Sequence, residues 1–497
     1  MTGMRSVKKW IALAGIPVLC FGLCCACGRK ESSEKIEVKK VETDTAKCTK
    51  QLYVSAGADA AAADGSQAQP YATIGEAAAQ IGPGTEVIVS AGEYPAFELT
   101  AAASGTGEAP VVIRAADGEN VIVKAPEAAD GGDEDRIGIH IVNAQHITLQ
   151  GLEVTGGTHG ICYESTREAG EQPLDCVVIR DCKVHGVRGT HGICVYARND
   201  LAPVTNLIMS GCEVWDCECG DSESTVFNGN VDGFEICGNV IHDNNNIGID
   251  MIGFEGTAKH PKGYKDADGK KANRYENDFV RNGLCHDNFV YGISAEGNDA
   301  YLEDGEYDLC ADGIYVDGGQ DIKIYDNFIF DCDIGLEVAT EHSPDDNELF
   351  KVSGIEVCDN VIADCTGWCG ICFGGYDKDL GFTEGCVFHN NTLIDNETQI
   401  GVQRSRDNDV YANLLVGGGS AVEFNEDCRK EDLVNRIRDN AACGFGDEDS
   451  WSDDYGRIYK DKSEVIEDYR SRFEGIGSAF VPDADQIAVY EQRKQGE

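Results

Sequence analysis

The 497-residue sequence predicts an all-β chain, a right-handed single-stranded parallel β-helix (solenoid) with an N-terminal helical cap. Three observations predict it. A motif x-h-x-h-x-x-N-x-h-x-D, followed shortly by h-G-h (h, hydrophobic), recurs along the chain. Each copy holds three short alternating strands, whose apolar faces can be buried only if the copies stack. The copies are also unequal in length, which disfavours a β-propeller.

The clearest copies are "GFEICGNVIHDNNNIGIDMI" from Gly233, "DIKIYDNFIFDCDIGLEVA" from Asp321, "GIEVCDNVIADCTGWCGICFG" from Gly354 and "GCVFHNNTLIDNETQIGVQ" from Gly385. The Asn position is taken in turn by Leu152, Cys182, Cys212, Asn239, Asn288, Asn327, Asn360, Asn391 and Asn413, at intervals of 30, 30, 27, 49, 39, 33, 31 and 22 residues. About nine complete or partial coils follow. Parallel strands stack ~4.8 Å apart. The asparagines are therefore expected to form a ladder, each amide bonding its neighbours above and below.

Ahead of the repeat lies a targeting segment. Arg5, Lys8 and Lys9 precede the apolar "WIALAGIPVLCFGL", too short for a membrane span, and then "CCAC". This pattern looks like a bacterial lipoprotein signal over residues 1–26, with Cys27 as the lipidated residue and 27–51 as a flexible tether. The β-helix is assigned to 52–425 and a C-terminal capping region to 426–497, where "KEDLVNRIRDNA" reads as a helix. The chain is expected to be extracytoplasmic and monomeric, touching a membrane only through its anchor.

The 88 acidic against 41 basic residues, a formal charge of −47, exclude a nucleic-acid partner. They fit a soluble exported surface or a protein that holds cations. The 23 cysteines, 19 of them beyond residue 27, show no CxxC…CxxC pairing and so no zinc site of that type. Stacking pairs Cys182 with Cys212, Cys332 with Cys365, and Cys162 with Cys194. Inter-coil disulfides fit this spacing. So does a ladder of reduced buried thiols, which the parallel pointing of stacked side chains favours.

From Leu52, "LYVSAGADAAAADGSQAQPYATIGEAAAQIGPGTEVIVSAGEY" resembles the N-terminal segment of secreted bacterial β-helix proteins. There the "PYATIGEAA" helix caps the open coil end and "PGTEVIVSAGEY" forms the first coil. "VDGFEI", "GIDMIGFEG", "ADGIYVDGG", "DIGLEVATEH" and "GICFGGYD" resemble segments of pectate-lyase-like β-helix proteins, distantly similar to polysaccharide lyases of family nine. That family implies an Asp cluster holding Ca²⁺ and a Lys base. Here Cys372 stands where the Lys would be, and "NNNIGID" has Asn and Ile where adjacent carboxylates belong, so the lyase mechanism does not transfer directly.

The strand after each third turn reads h-G-h-X-h, with X facing outward. That column reads Cys162, Cys194, Asp250, Tyr315, Glu337, Cys372 and Gln403, joined by Asp312 and Asp317 on the same strands. Long insertions flank it (253–277, 294–311 and the segments after Glu337 and Cys372). Long loops on a rigid scaffold build sites, so a groove for a polysaccharide is expected here. Expected glycan contacts are Glu255, Tyr315, Glu341, His342, Tyr376, Asp377 and Arg404, with Phe254 as a further stacking platform.

Three functions fit. A lyase acting on a uronic-acid-containing glycan needs a cation and a base. Asp250, Asp312, Asp317 and Glu337 could ligate Ca²⁺, with Lys259, Lys262 or His260 as base. A glycoside hydrolase needs two carboxyl groups, supplied by Asp250 with Glu337 or Asp317 with Glu337. The third is glycan binding without catalysis. The lyase reading is taken first, although an anionic glycan would be repelled by so acidic a groove unless cations bridge it.

Overall fold

The computed structural model describes residues 45–127, 135–377, 379–425, 434–459 and 477–495. The signal segment, Cys27 and most of the tether lie outside the described residues. The first strand, Lys50–Val54, begins two residues before the expected start of the coil.

Three long parallel sheets wrap one apolar core. The first runs from Lys50–Val54 to Arg436–Arg438, the second from Phe97–Leu99 to Ser420–Phe424, and the third from Gly92–Pro95 to Gly456–Tyr459. Within these sheets the strands pair in parallel with their equivalents one coil away, the architecture of a right-handed parallel β-helix, and Leu302–Glu303 with Glu306–Tyr307 form a separate antiparallel pair. Along the third sheet the described residues supply thirteen strands, more than the nine coils expected. The additional N-terminal coils, such as Thr85–Val89 with Gly92–Pro95, lack the Asn motif, whereas the additional coil at the other end carries it as Asn440. The predicted helix is Ile74–Ala78, closed by a reciprocal Thr73–Glu76 capping box, and it buries Ile74 and Ala77 in the core.

The asparagine ladder forms as expected. Nδ2 of Asn239, Asn288, Asn327, Asn360 and Asn391 each donates to Oδ1 of the next member at 2.9–3.0 Å. Asn413 donates likewise to Asn440, one rung beyond the predicted set. Each Oδ1 also accepts a backbone N–H, as Asn360 does from Asn327. Asn327→Leu would strand the buried N–H groups of Asn288. It is expected to cost about 2–4 kcal/mol, measurable by urea unfolding.

A left-handed residue precedes each rung. Asp287, Asp326, Asp359 and Asn390 have φ of 54–57°, and so does Ala412, at 56°. Asp and Asn tolerate this region, whereas alanine is strained in it. Ala412→Gly is therefore expected to stabilise the fold by up to about 1 kcal/mol, raising the urea midpoint.

Cys162 lies in register with Cys194, and all cysteines among the described residues are free thiols. The C-terminal expectations need correction. Arg436–Arg438 and Asn440–Cys443 are strands, not helix, and the ladder continues past 425. Here parallel pairing with Asp409–Tyr411 and Leu414–Val416 of the preceding coil overrides the helical propensity of the segment. The helix Ala484–Arg493 does not close the coil end. It docks on the flank of the third sheet, with Tyr490 against Phe328 and Phe330 and Arg493 paired with Asp243 and Asp331.

Candidate active site

The outward column of the second sheet is real in its middle. Asp250 pairs in register with Tyr315, Tyr315 with Glu337, and Glu337 with Cys372. Two positions differ from expectation. Gly401, not Gln403, continues the column. Val226 fills an unpredicted rung between Cys194 and Asp250. That rung, Thr225–Gly229, carries Ser224 where the h-G-h signature needs glycine, so the pattern hides it. Three residues before Val226 stands Glu223, the position taken by His191 one coil earlier.

The face was expected to be open, yet most of it is enclosed. Asp250, Asp312, Asp317, Tyr315 and Glu337 are all buried, Asp250 only 2% exposed. The insertion after Asp250 folds back on its own strand: Gly253 bridges Phe279, and the Phe254 N–H donates to the Asp278 carbonyl. Glu255 and Glu341 stand exposed at the rim. Glu255 accepts from Asn228 Nδ2 at 2.7 Å, and the Glu341 N–H donates to Asp317 Oδ1 at 3.3 Å. Tyr376 and Asp377 are exposed beyond them.

Enclosure and mutual repulsion raise the carboxyl pKa values of the buried floor. Burial, then Glu223 and Asp317, hold Asp250 well above the usual carboxylate range. Burial and Glu337 do the same to Asp312, and burial and Glu341 to Asp317. Burial raises Glu337 to about 7, reinforced by Glu341 and opposed by a hydrogen bond with Cys372. Burial and Glu255 raise Glu223 to about 8. Among the described residues, no lysine or arginine forms an ion pair with Asp250, Asp312, Asp317, Glu337, Glu255 or Glu341.

The predicted bases are engaged by other groups or exposed. Lys259 Nζ is hydrogen-bonded to Tyr275 Oη and sits over that ring. Lys262 is exposed on the insertion. His260 is locked between Asp200 (2.8 Å) and Glu276 (3.3 Å), a structural network that also holds Arg167 through Asp200. Phe254 is no stacking platform, since it packs in the interior against Phe279 and Phe350. His342 leans on Phe350, and Arg404 is buried with its guanidinium over Phe382. Two oxygens in the floor, Asp250 Oδ1 and Asp312 Oδ1, are buried without a hydrogen-bond partner. Among the described residues, Asp250, Asp312, Asp317 and Glu337 do not bring three oxygens within 4.8 Å of one another. The proposed Ca²⁺ set is thus not closed around one ion as it stands.

The arrangement offers neutral carboxylic acids in an enclosed floor, carboxylates at the rim and an exposed aromatic beside them. Comparisons with known proteins agree with the fold. Residues 271–460 match the family described as periplasmic copper-binding protein (NosD). The native GH136 lacto-N-biosidase from Eubacterium ramulus superposes with a TM-score of 0.50 at 14% identity, covering 80% of this chain and 68% of that one, a likeness of fold alone. Pectate lyase Pel9A gives a TM-score of 0.45 at 13% identity over 72% of this chain and 78% of its own. The uncharacterized protein YwoF of Bacillus subtilis (strain 168) is 32% identical over 415 residues, 80% of this chain and 81% of YwoF. The chain belongs to the same protein family as YwoF.

Proposed function

We propose that this chain is an extracytoplasmic glycan-active protein, and that the cleft on its second sheet hydrolyses glycosidic bonds. The feature that carries the reading is Glu337, whose carboxyl is raised to about 7 by burial in an enclosed floor, with Glu255 and Glu341 exposed at the rim. A glycosidase needs a carboxylic acid that is neutral near pH 7 and a second carboxylate that is ionised. Glu337 serves as the acid that protonates the leaving oxygen. Glu341, at the rim and electrostatically linked to it, serves as the base that draws a proton from water. Tyr376 offers a stacking face for a sugar ring. The location draws support from the periplasmic family matched over 271–460.

A second reading is retained for one reason. The unpaired oxygens of Asp250 and Asp312 are hard donors that Ca²⁺ takes readily. With the cation bound on a uronate carboxylate, the cleft would support β-elimination, although Lys259 would first have to leave Tyr275 to act as base.

The purified protein, incubated with a panel of polysaccharides with and without Ca²⁺, separates these. Hydrolysis is expected to give new reducing ends without ultraviolet absorbance from an unsaturated sugar, and EDTA is expected to leave it unchanged. Product absorbance abolished by EDTA would establish elimination instead. Saturable glycan binding without either product would reduce the protein to a binding module.

A further inference from the structure

The first sheet, on a face distinct from the acidic cleft, carries the same three-residue constellation twice. Glu235 and Cys237 lie two residues apart on one strand and so share its face. Cys237 pairs in register with His286 on the next coil. Three coils beyond Cys237, Glu356 and Cys358 repeat the pair, and Cys358 is in register with His389. In each triad one carboxylate oxygen, the sulfur and one ring nitrogen all lie within 4.8 Å of one another. Among the described residues, these are the two places where three such donors converge so closely.

The surroundings of each imidazole are duplicated too. His286 Nε2 is 3.0 Å from Glu235, while its Nδ1 is 2.6 Å from Asp287 Oδ2. His389 Nε2 is 3.2 Å from Glu356, and its Nδ1 is 2.6 Å from Asn390 Oδ1. With the Nδ1 proton held by an oxygen partner, the ring is fixed and the Nε2 lone pair faces the space shared with the carboxylate and thiol, which is how metal-binding histidines are oriented. The rings are braced from the far side by Tyr325 and Tyr411, at centroid distances of 4.6 and 5.1 Å.

Packing alone does not account for the cysteines. On the third sheet, His185 bonds Glu153 and stacks on Trp215 with no sulfur beside it, so a Glu–His–aromatic ladder is complete without one. We propose that Glu235, Cys237 and His286, and their copy Glu356, Cys358 and His389, are two sites for a borderline-soft divalent transition ion such as Zn²⁺. A mixed S, N and O donor set suits that ion, and three protein ligands leave one position for water or an exogenous ligand. Binding exchanges the thiol proton for the metal, so each site releases that proton to solvent. Besides the Nδ1 partner, Asp287 at one and Asn390 at the other, the two sites differ in a competing cation. Lys323 Nζ lies 3.1 Å from Glu356 and must yield to the ion, whereas no lysine competes at Glu235 among the described residues. The Glu235 site is therefore the tighter.

The test is a titration of the reduced, full-length protein with Co²⁺, read by thiolate-to-cobalt charge-transfer absorption, with Zn²⁺ as competitor. Two ions per chain are expected, displaced by Zn²⁺. Cys237→Ser should remove the tighter one, and Cys237→Ser with Cys358→Ser both, with circular dichroism unchanged. Should a variant not fold, His286→Gln and His389→Gln supply the same readout from the nitrogen side. No charge-transfer absorption, or absorption that survives in the folded double variant, would overturn the proposal. Glycan turnover is not measured, so neither result bears on the acidic cleft.

Discussion

Glu337→Gln is expected to lower glycan turnover by about 10²–10⁴-fold, the range for loss of a positioned general acid. Glutamine keeps the volume and the buried hydrogen-bonding capacity of the site but cannot release a proton. The loss should therefore fall on kcat, with binding retained. Glu341→Gln is expected to be comparably damaging, and the two losses should not add, since acid and base act in one step. The pH dependence follows from the environment. Activity should fall as pH rises through about 7, where Glu337 ionises. It should also fall in acid, where Glu341, its carboxyl raised by burial and by Glu255, takes up a proton. The check is a pH–rate profile of the protein beside Glu337→Gln. A variant with full turnover would remove Glu337 from the chemistry.

The second large effect is on stability. Asp250, Asp312, Asp317, Glu223 and Glu337 all have carboxyl pKa values raised on folding, so the folded state holds protons that the unfolded chain has already lost. Their stabilising contribution is fully present below about pH 4, under the unfolded values. It is lost as pH rises through the folded ones, which for Glu337 and Glu223 are about 7 and 8. Unfolding free energy should therefore decline from pH 5 to pH 8. Glu337 alone, moved from 4.5 to about 7, accounts for about 3 kcal/mol of that decline. Denaturant unfolding at both pH values should show a smaller drop in Glu337→Gln. An equal drop in both proteins would mean that Glu337 is not protonated in the fold.

The coil was legible because its signals are periodic. The buried Asn must find an amide above and below, so it recurs at every turn from Asn239 to Asn413, and the residue before it must adopt positive φ. Asp250, Tyr315 and Glu337 could be aligned from the h-G-h pattern for the same reason. What the pattern could not carry was the third dimension. Enclosure of the cleft depends on where residues 253–278 fold, and a loop without a repeat encodes that in side-chain contacts such as Phe254 on Phe279 and Phe350. For the same reason the partners of the candidate bases, Asp200 for His260 and Tyr275 for Lys259, could not be read from the pattern. Glu223 escaped notice because its rung replaces the signature glycine with Ser224. The C-terminal strands were misread for a related reason, as "KEDLVNRIRDNA" is rich in helix formers while the neighbouring coil dictates a strand.

The most direct test of the central claim is a crystal structure of Glu337→Gln soaked with an oligosaccharide drawn from whichever polymer the protein cleaves or binds. The cleft reading predicts a glycosidic oxygen within hydrogen-bond distance of residue 337, with a sugar ring against Tyr376. An oligosaccharide bound to another face of the coil, with the second-sheet cleft vacant, would contradict it.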